Sequence, residues 1–327
     1  MNLQGKRVLV TGAGGFIGSH LAERLVESGA RVRAFVHYRG DGSRGWLDES
    51  PHSNDIEIFA GDISDRDCVD SAVKGVEVVF HLAALIGIPY SYAAPASYVR
   101  TNIEGTLNVL QASRNCGIER IIHTSTSEVY GTARYVPIDE KHPLQGQSPY
   151  SATKIGADKI AEAFHLSFGT PVVTLRPFNT FGPRQTARAV IPTIISQCLA
   201  GDVVRLGSVH PMRDFNYVGD TVNAFLKCAE VASAVGRTIH VGSGREIQVG
   251  ALAEKIAHLV GKSVRVETQV DRVRPEGSEV ERLLADNSYA KTILDWEPTL
   301  SLDEGLRRTI AWIREHAKIY QPNAYNI

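Results

Sequence analysis

The chain has 327 residues, 43% of them hydrophobic, and a formal net charge of -1. That length can bury one large core or two joined ones, and the near-neutral charge excludes whole-molecule attraction to nucleic acid or an anionic membrane, leaving only a local basic cleft open. Cys68, Cys116, Cys198 and Cys228 are far apart and form no CxxC or Cys/His cluster, so reduced thiols are expected rather than a disulfide framework, and no metal centre.

Taken in order, the first half alternates short β-branched runs with longer amphipathic stretches. RVLVTG from Arg7 predicts a strand, entered so early that no signal peptide fits, and a cytoplasmic location is expected. Residues 15–28 follow as a helix with Leu21, Leu25 and Val26 inward. RVRAFVH from Arg31, EIFAG from Glu57 and VEVVFHLA from Val76 are the next strands. The last of these opens the longest apolar run, yet Glu77 and His81 interrupt it, so no membrane span is expected. A helix is predicted over residues 95–115, a strand at RIIHTSTS from Arg120, a helix over 149–168, and a strand at VVTLRP from Val172. Strand, helix, strand at this spacing predicts a doubly wound α/β fold, a parallel sheet covered by helices on both faces, with a site at the loops along one edge. After about residue 180 the alternation loosens, and VVRLGS, RTIHVGS and SVRVET are separated by helical stretches and Gly/Pro turns. The expected division is a Rossmann domain over 1–178 and a smaller C-terminal α/β substrate-binding lobe over 179–327, with some segments returning to the first domain. No low-complexity linker separates them, which favours a cleft between lobes.

The loop after the first strand reads Thr11-Gly12-Ala13-Gly14-Gly15-Phe16-Ile17-Gly18. Gly12 permits the tight turn, Gly15 admits a pyrophosphate to the amides at the helix start, and Gly18 allows close packing, so dinucleotide binding is expected. An NAD site usually carries a carboxylate at the end of the second strand. This one ends Val36-His37-Tyr38-Arg39, and Arg44 follows. A cation there suits a 2′-phosphate, which favours NADP over NAD, although loop arginines are also commonly just solvated. Asp62, before Ile63, is placed either for the adenine amino group or as a helix N-cap.

Tyr150 and Lys154 form a YxxxK pair inside SPYSATK. Four residues apart on a helix they share a face, so the ammonium can lower the phenol pKa toward neutrality and make Tyr150 a base. Upstream lies the Ser/Thr-rich strand end Thr124-Ser125-Thr126-Ser127-Glu128-Val129-Tyr130-Gly131.

With these elements in order, the chain resembles the extended short-chain dehydrogenases that modify nucleotide sugars. TGAGGFIG, His81-Leu82-Ala83-Ala84, STSEVYG, YxxxK, RPFNTFGPRQ from Arg176 and RDFNYVGD from Arg213 carry the likeness over essentially the whole length. It implies a tightly bound, recycled NADP or NAD bordered by Leu82, Ala83 and Ala84. Proton transfer falls to Tyr150, its activation to Lys154, and contact with the sugar hydroxyl to Thr126. The substrate diphosphate falls to Asn179, Arg213 and Arg274, residues that otherwise read as loop polar groups or surface ion pairs. It also implies a homodimer joined through the helices near 95–115 and 150–168. Glu128 beside Thr126 adds a second acid/base able to take a C5 proton, as in 4,6-dehydratases. Ser127 stands where one kind of dehydratase has aspartic acid, which resembles the GDP-mannose 4,6-dehydratases and leaves both proton transfers to Glu128. UDP-glucuronate decarboxylases share STSEVYG, and a C4 epimerase needs only the first step. The segments GTARYVPIDEKHPLQGQSPYSATK and GPRQTARAVIPTIISQ look closer to dehydratases of legionaminic-acid pathways, which act on nucleotide-linked N-acetylglucosamine, with UDP or GDP left open. A regulator that kept the fold and lost the chemistry is disfavoured by the presence of Tyr150, Lys154 and Glu128.

Overall fold

Val8, Leu9 and Val10 are fully buried, as a strand sandwiched between two helical layers requires. In the computed structural model, which describes residues 1–320, they lie in β1 (Arg7–Thr11) at the centre of a parallel sheet. The chain continues through α1 (Phe16–Glu27), β2 (Arg31–His37), β3 (Ile56–Gly61), α2 (Arg66–Val73) and β4 (Val78–His81). Then come α3 (Ile88–Ala93), α4 (Pro95–Tyr98), α5 (Gly105–Asn115), β5 (Arg120–Thr124), α6 (Pro149–Phe168) and β6 (Val172–Pro177). Later elements are β7 (Asn179–Phe181), α7 (Val190–Ala200), β8 (Val203–Leu206), β9 (Met212–Tyr217), α8 (Val218–Glu230) and β10 (Thr238–Val241). The chain closes with β11 (Glu246–Gln248), α9 (Val249–Val260), β12 (Arg265–Thr268), α10 (Ser288–Leu294) and α11 (Leu302–Glu315).

The large sheet has the order β10-β6-β5-β4-β1-β2-β3. Its connections run outward in opposite directions from β1 and β4, and the loops leaving those two strands part to open a crevice. Leu21 and Leu25 of α1 pack with Phe225 of α8 and Trp296 on one face. Val69 of α2, Val109 and Leu110 of α5, and Ala161 and Phe164 of α6 cover the other. A second core joins Ile191, Ile194 and Ile195 of α7, Leu252 and Ile256 of α9, and Leu306, Ile310 and Ile313 of α11. Around it lie a two-stranded parallel sheet, β12-β8, and a three-stranded one, β11-β9-β7. β10, far along the chain, pairs parallel with β6 and closes the large sheet.

The helix expected over 95–115 is present but changes its winding along its length. α4 passes into a π-helical stretch, Val99–Glu104, before α5 begins. The wide turn carries the buried Asn102, whose amide meets Leu85 N (2.8 Å), Leu85 O (3.0 Å) and Thr153 Oγ1 (3.0 Å). Three partners for one buried amide offset the poorer helical geometry. The strand expected from Val76 begins two residues later, at Val78. Among the described residues no helix is long and apolar enough to cross a membrane.

Candidate active site

The cleft between the two cores encloses about 750 Å³. Its floor at one end is the glycine loop. Gly12 has φ +72°, and a Cβ there would sit 2.9 Å from Ala83 N, while a Cβ on Gly18 would lie 2.2 Å from Gly12 O. Both positions therefore exclude a side chain. Gly15 is the N-cap of α1 and no side chain caps that helix, so its first-turn amides are left for an anion. Thr11 Oγ1 accepts from Leu82 N and Ala83 N, both at 3.1 Å, and lies 2.9 Å from His81 Nδ1. One hydroxyl thus fixes the two loops that border the crevice. Phe16, Ile17, His37, Arg39, Leu82, Ala83 and Ala84 line the same space.

A contact that sequence reasoning missed lies over this loop. A Cβ on Gly14 would come within 2.5 Å of Arg44 O, one on Gly45 within 2.3 Å of Gly14 O, and Trp46 N donates to Gly14 O at 3.0 Å. The Gly45-Trp46 turn is therefore laid directly on the glycine loop. Arg44 itself is engaged, its Nε 2.8 Å from Asp48 Oδ1. Arg39 is exposed and has no ion-pair partner among the described residues. Asp62 and Ile63 do not line the cleft. Asp62 Oδ1 takes Ser64 N (2.8 Å) and Ser64 Oγ (2.7 Å), and Ile63 is buried against Gly105. The N-cap of α2 is Asp65, which accepts from Cys68 N.

The catalytic end is built on α6. Ser148 and Ser151 form a reciprocal capping box with Pro149 in the first turn, which fixes where the helix starts and hence where its cleft-facing residues point. Tyr150 and Lys154 are 7% and 4% exposed. Among the described residues no hydrogen bond joins Lys154 to the Tyr150 phenol. Lys154 Nζ donates to Thr124 O at 2.6 Å. Burial raises the Tyr150 pKa, a hydrogen bond with Thr126 opposes this, and Glu128, Tyr98 and Asp158 push it further up. Burial also lowers Lys154 to about 8, against the pull of Asp158. Desolvation is the largest of these influences on the phenol.

Thr126 Oγ1 caps the short 3-10 turn Ser127–Tyr130, accepting from Glu128 N at 3.2 Å. That turn carries Ser127, buried, and Glu128, half-exposed, into the cleft wall. The Glu128 charge acts on Tyr150 on one side and on Arg213 on the other. At the far end Arg213 Nη2 lies 3.4 Å, and Arg274 Nη1 3.7 Å, from Glu279 Oε1. Arg274 Nη1 is buried without a hydrogen bond. Asn179 Nδ2 donates to Asp214 O at 3.4 Å. Arg213 and Arg274 thus combine ion pairing with a place in the cleft wall, and Asn179 lines the cleft while bonded to the backbone. Arg188, Arg272 and Glu279, which sequence reasoning did not single out, line the cleft as well. This is a cation-rich pocket with one acid and one phenol at its other end.

The sequence matches the GDP-mannose 4,6 dehydratase family over residues 9–309. The chain belongs to this family. Its relatives are nucleotide-sugar dehydratases and epimerases of the extended short-chain dehydrogenase/reductase type. A UDP-N-acetyl-alpha-D-glucosaminuronate decarboxylase of Bacillus cytotoxicus is 32% identical over 321 residues, 95% of this chain and 98% of that one. The fold superimposes on the dTDP-glucose 4,6-dehydratase DesIV of Streptomyces venezuelae, solved with NAD bound, with a TM-score of 0.88 and 29% identity, covering 97% and 99% of the two chains. It also superimposes on a UDP-N-acetylglucosamine 4-epimerase of Methanobrevibacter ruminantium, with a TM-score of 0.86 and 32% identity over 96% and 99%. Members that dehydrate, decarboxylate and epimerise thus stand at the same distance from this family member.

Proposed function

We propose that the protein is a nucleotide-sugar 4,6-dehydratase that converts a UDP- or GDP-linked N-acetylglucosamine to its 4-keto-6-deoxy form. The observation that carries this reading is Glu128, held by the Thr126-capped turn in the same cleft as Tyr150. It separates this reading from an epimerase, which needs no acid there. The choice over a decarboxylase, which shares STSEVYG, rests on the resemblance of residues 131–154 and 182–197 to dehydratases.

The uncapped start of α1, the side-chain-free faces of Gly12 and Gly18, and the lining of Phe16, Ile17, His37, Leu82, Ala83 and Ala84 fit a nicotinamide dinucleotide. When bound, it supplies reversible hydride acceptance, so that the reaction is redox-neutral overall. Arg39 is the cation available for a 2′-phosphate, and the preference for NADP rests on it. Arg213, Arg274 and Asn179 hold the substrate diphosphate, and that remote binding positions the sugar. Thr126 orients the 4-hydroxyl and Tyr150 takes its proton, with Lys154 stabilising the phenolate. Glu128 then removes the C5 proton acidified by the 4-ketone and returns a proton to the departing C6 oxygen, because Ser127 is no acid. Exposed Leu107, Leu166 and Phe168 on α5 and α6 support pairing with a second copy through those helices.

Mass spectrometry of products from a panel of UDP-, GDP- and dTDP-sugars tests the assignment. Loss of one water from a nucleotide-linked N-acetylglucosamine is expected. Unchanged mass, or carbon dioxide released from a uronic-acid substrate, overturns it.

A further inference from the structure

Tyr150, Lys154 and Asp158 succeed one another at four-residue steps on α6, and all three are buried. The Asp158 carboxylate accepts from His123 Nε2 (2.9 Å), Ser125 Oγ (2.6 Å), and Arg176 Nε (3.1 Å) and Nη2 (2.8 Å). Arg176 Nη1 donates onward to Tyr130 OH at 2.5 Å, and that hydroxyl faces His240 Nε2 at 2.5 Å. Asp158, His123, Ser125, Arg176, Tyr130 and His240 all lie outside the tyrosine–lysine pair. We propose that Asp158 and Arg176 are positioning residues that set the charge balance beneath Tyr150: Asp158 keeps Lys154 an ammonium, and Arg176 cancels Asp158 so that the lysine charge remains for the phenolate.

Burial lowers the pKa of His81, His123 and His240, the last to about 3, so all three are neutral near pH 7. Burial pushes the Tyr130 phenol up to about 12. Opposing burial, His123, Arg176 and Lys154 hold Asp158 well below the usual carboxylate range. The charged groups bonded to or beside Asp158 are therefore Lys154, Asp158 itself and Arg176, summing to one positive charge, with the part-buried Glu140 beyond them against His240. Thr126 and Glu128 face Tyr150 from the cleft and the buried Tyr98 packs against it; of these only Glu128 is a carboxylic acid. Ionising Tyr150 brings these three and the phenolate to neutrality, the arrangement a buried cluster favours. Without Asp158 the buried Lys154 loses its only anionic neighbour among the described residues, and without Arg176 a bare carboxylate opposes the phenolate.

The inference rests on Tyr150 being the base, not on dehydration. Dehydration, decarboxylation and epimerisation all begin with Tyr150 taking the 4-hydroxyl proton, so the test uses whichever nucleotide sugar is turned over. A failed dehydratase assignment shows as a different product and leaves this test readable. The acid limb of kcat/KM against pH is measured for wild type, Asp158→Asn, Arg176→Gln and the double variant, with thermal unfolding as a control of folding. Opposite charge effects of about one pH unit are expected. Asp158→Asn should move the acid limb down, and also lower the alkaline limb set by Lys154. Arg176→Gln should move the acid limb up, and the double variant should return it to the wild-type position. If Arg176→Gln does not fold, the single Asp158→Asn and the double variant still decide. Limbs that stay in place, singles that shift the same way, or a double variant displaced as far as Asp158→Asn would overturn the proposal, since a merely structural network lowers amplitude without reversing direction.

Discussion

Lys154 Nζ donates to the carbonyl oxygen of Thr124 at 2.6 Å, joining the last residue of β5 to the second turn of α6 directly beneath Tyr150. The lysine is therefore a mechanical tie between sheet and helix as well as a charge. Tyr150 bonds to the Thr126 side chain rather than to the sheet. Tyr150→Phe should keep the fold and cofactor affinity while turnover falls roughly 10²–10⁴-fold, the usual worth of a general base. Lys154→Met should lose turnover and also about 1–3 kcal/mol of stability, because the part-buried Thr124 carbonyl loses its donor. Steady-state kinetics and urea titrations separate the two. Equal stability losses, or near-native turnover in Tyr150→Phe, contradict these roles.

Glu128→Gln keeps the shape of the 3-10 turn, since the cap uses the backbone N–H of residue 128. The variant should therefore bind substrate and oxidise C4 but stall there, with the absorbance of reduced nicotinamide persisting. In deuterium oxide the wild-type product should carry solvent deuterium at C5. Full dehydration by Glu128→Gln assigns the proton transfers elsewhere.

Arg44 is held by Asp48, whereas Arg39 stands exposed at the cleft edge. Arg39→Ala should reduce NADP affinity relative to NAD by several-fold, and Arg44→Ala should affect both cofactors alike by loosening the turn that lies on Gly14. Calorimetric titration of the four combinations checks this. A strong wild-type preference for NAD, or identical profiles for the two variants, removes the 2′-phosphate role.

His240 gives a pH signature of the fold. Burial holds it near 3, against 6.5 for a free imidazole. Between those values the unfolded chain binds the proton and the folded one does not, so its contribution to stability is complete above 6.5 and is lost as pH falls toward 3. Urea midpoints should decline across that window, and less steeply in His240→Gln. An unchanged slope in the variant assigns the acid sensitivity to other groups.

Patterns that repeat within a few residues were legible in the sequence. The alternation of β-branched runs and amphipathic stretches located six strands of the large sheet, and the spacing of Gly12, Gly15 and Gly18 located the loop between β1 and α1. Partnerships across the chain were not. Nothing local in the sequence tells that Asp158 meets His123 and Arg176, or that Glu279 sits between Arg213 and Arg274. Arg44 shows the opposite failure: a short-range partner, Asp48, was present four residues on and claims the charge that seemed free for a phosphate. Three-residue strands such as β7 and β11 have too few positions to show a period of two. Asn102 widens its helix because of Leu85 and Thr153, which no helical propensity records.

The pairing of β10 with β6 has a consequence for how the chain is made. Ribosomes deliver the six preceding strands first and the seventh only after α7, β8, β9 and α8 have emerged. At roughly 5–20 residues per second, the outer edge of β6 waits several seconds with its backbone groups unpaired. An incomplete sheet with a bare edge is a template for a neighbouring nascent chain. Shielding by chaperones during that interval, and poor yield of any fragment ending near residue 178, follow from where one four-residue strand was placed.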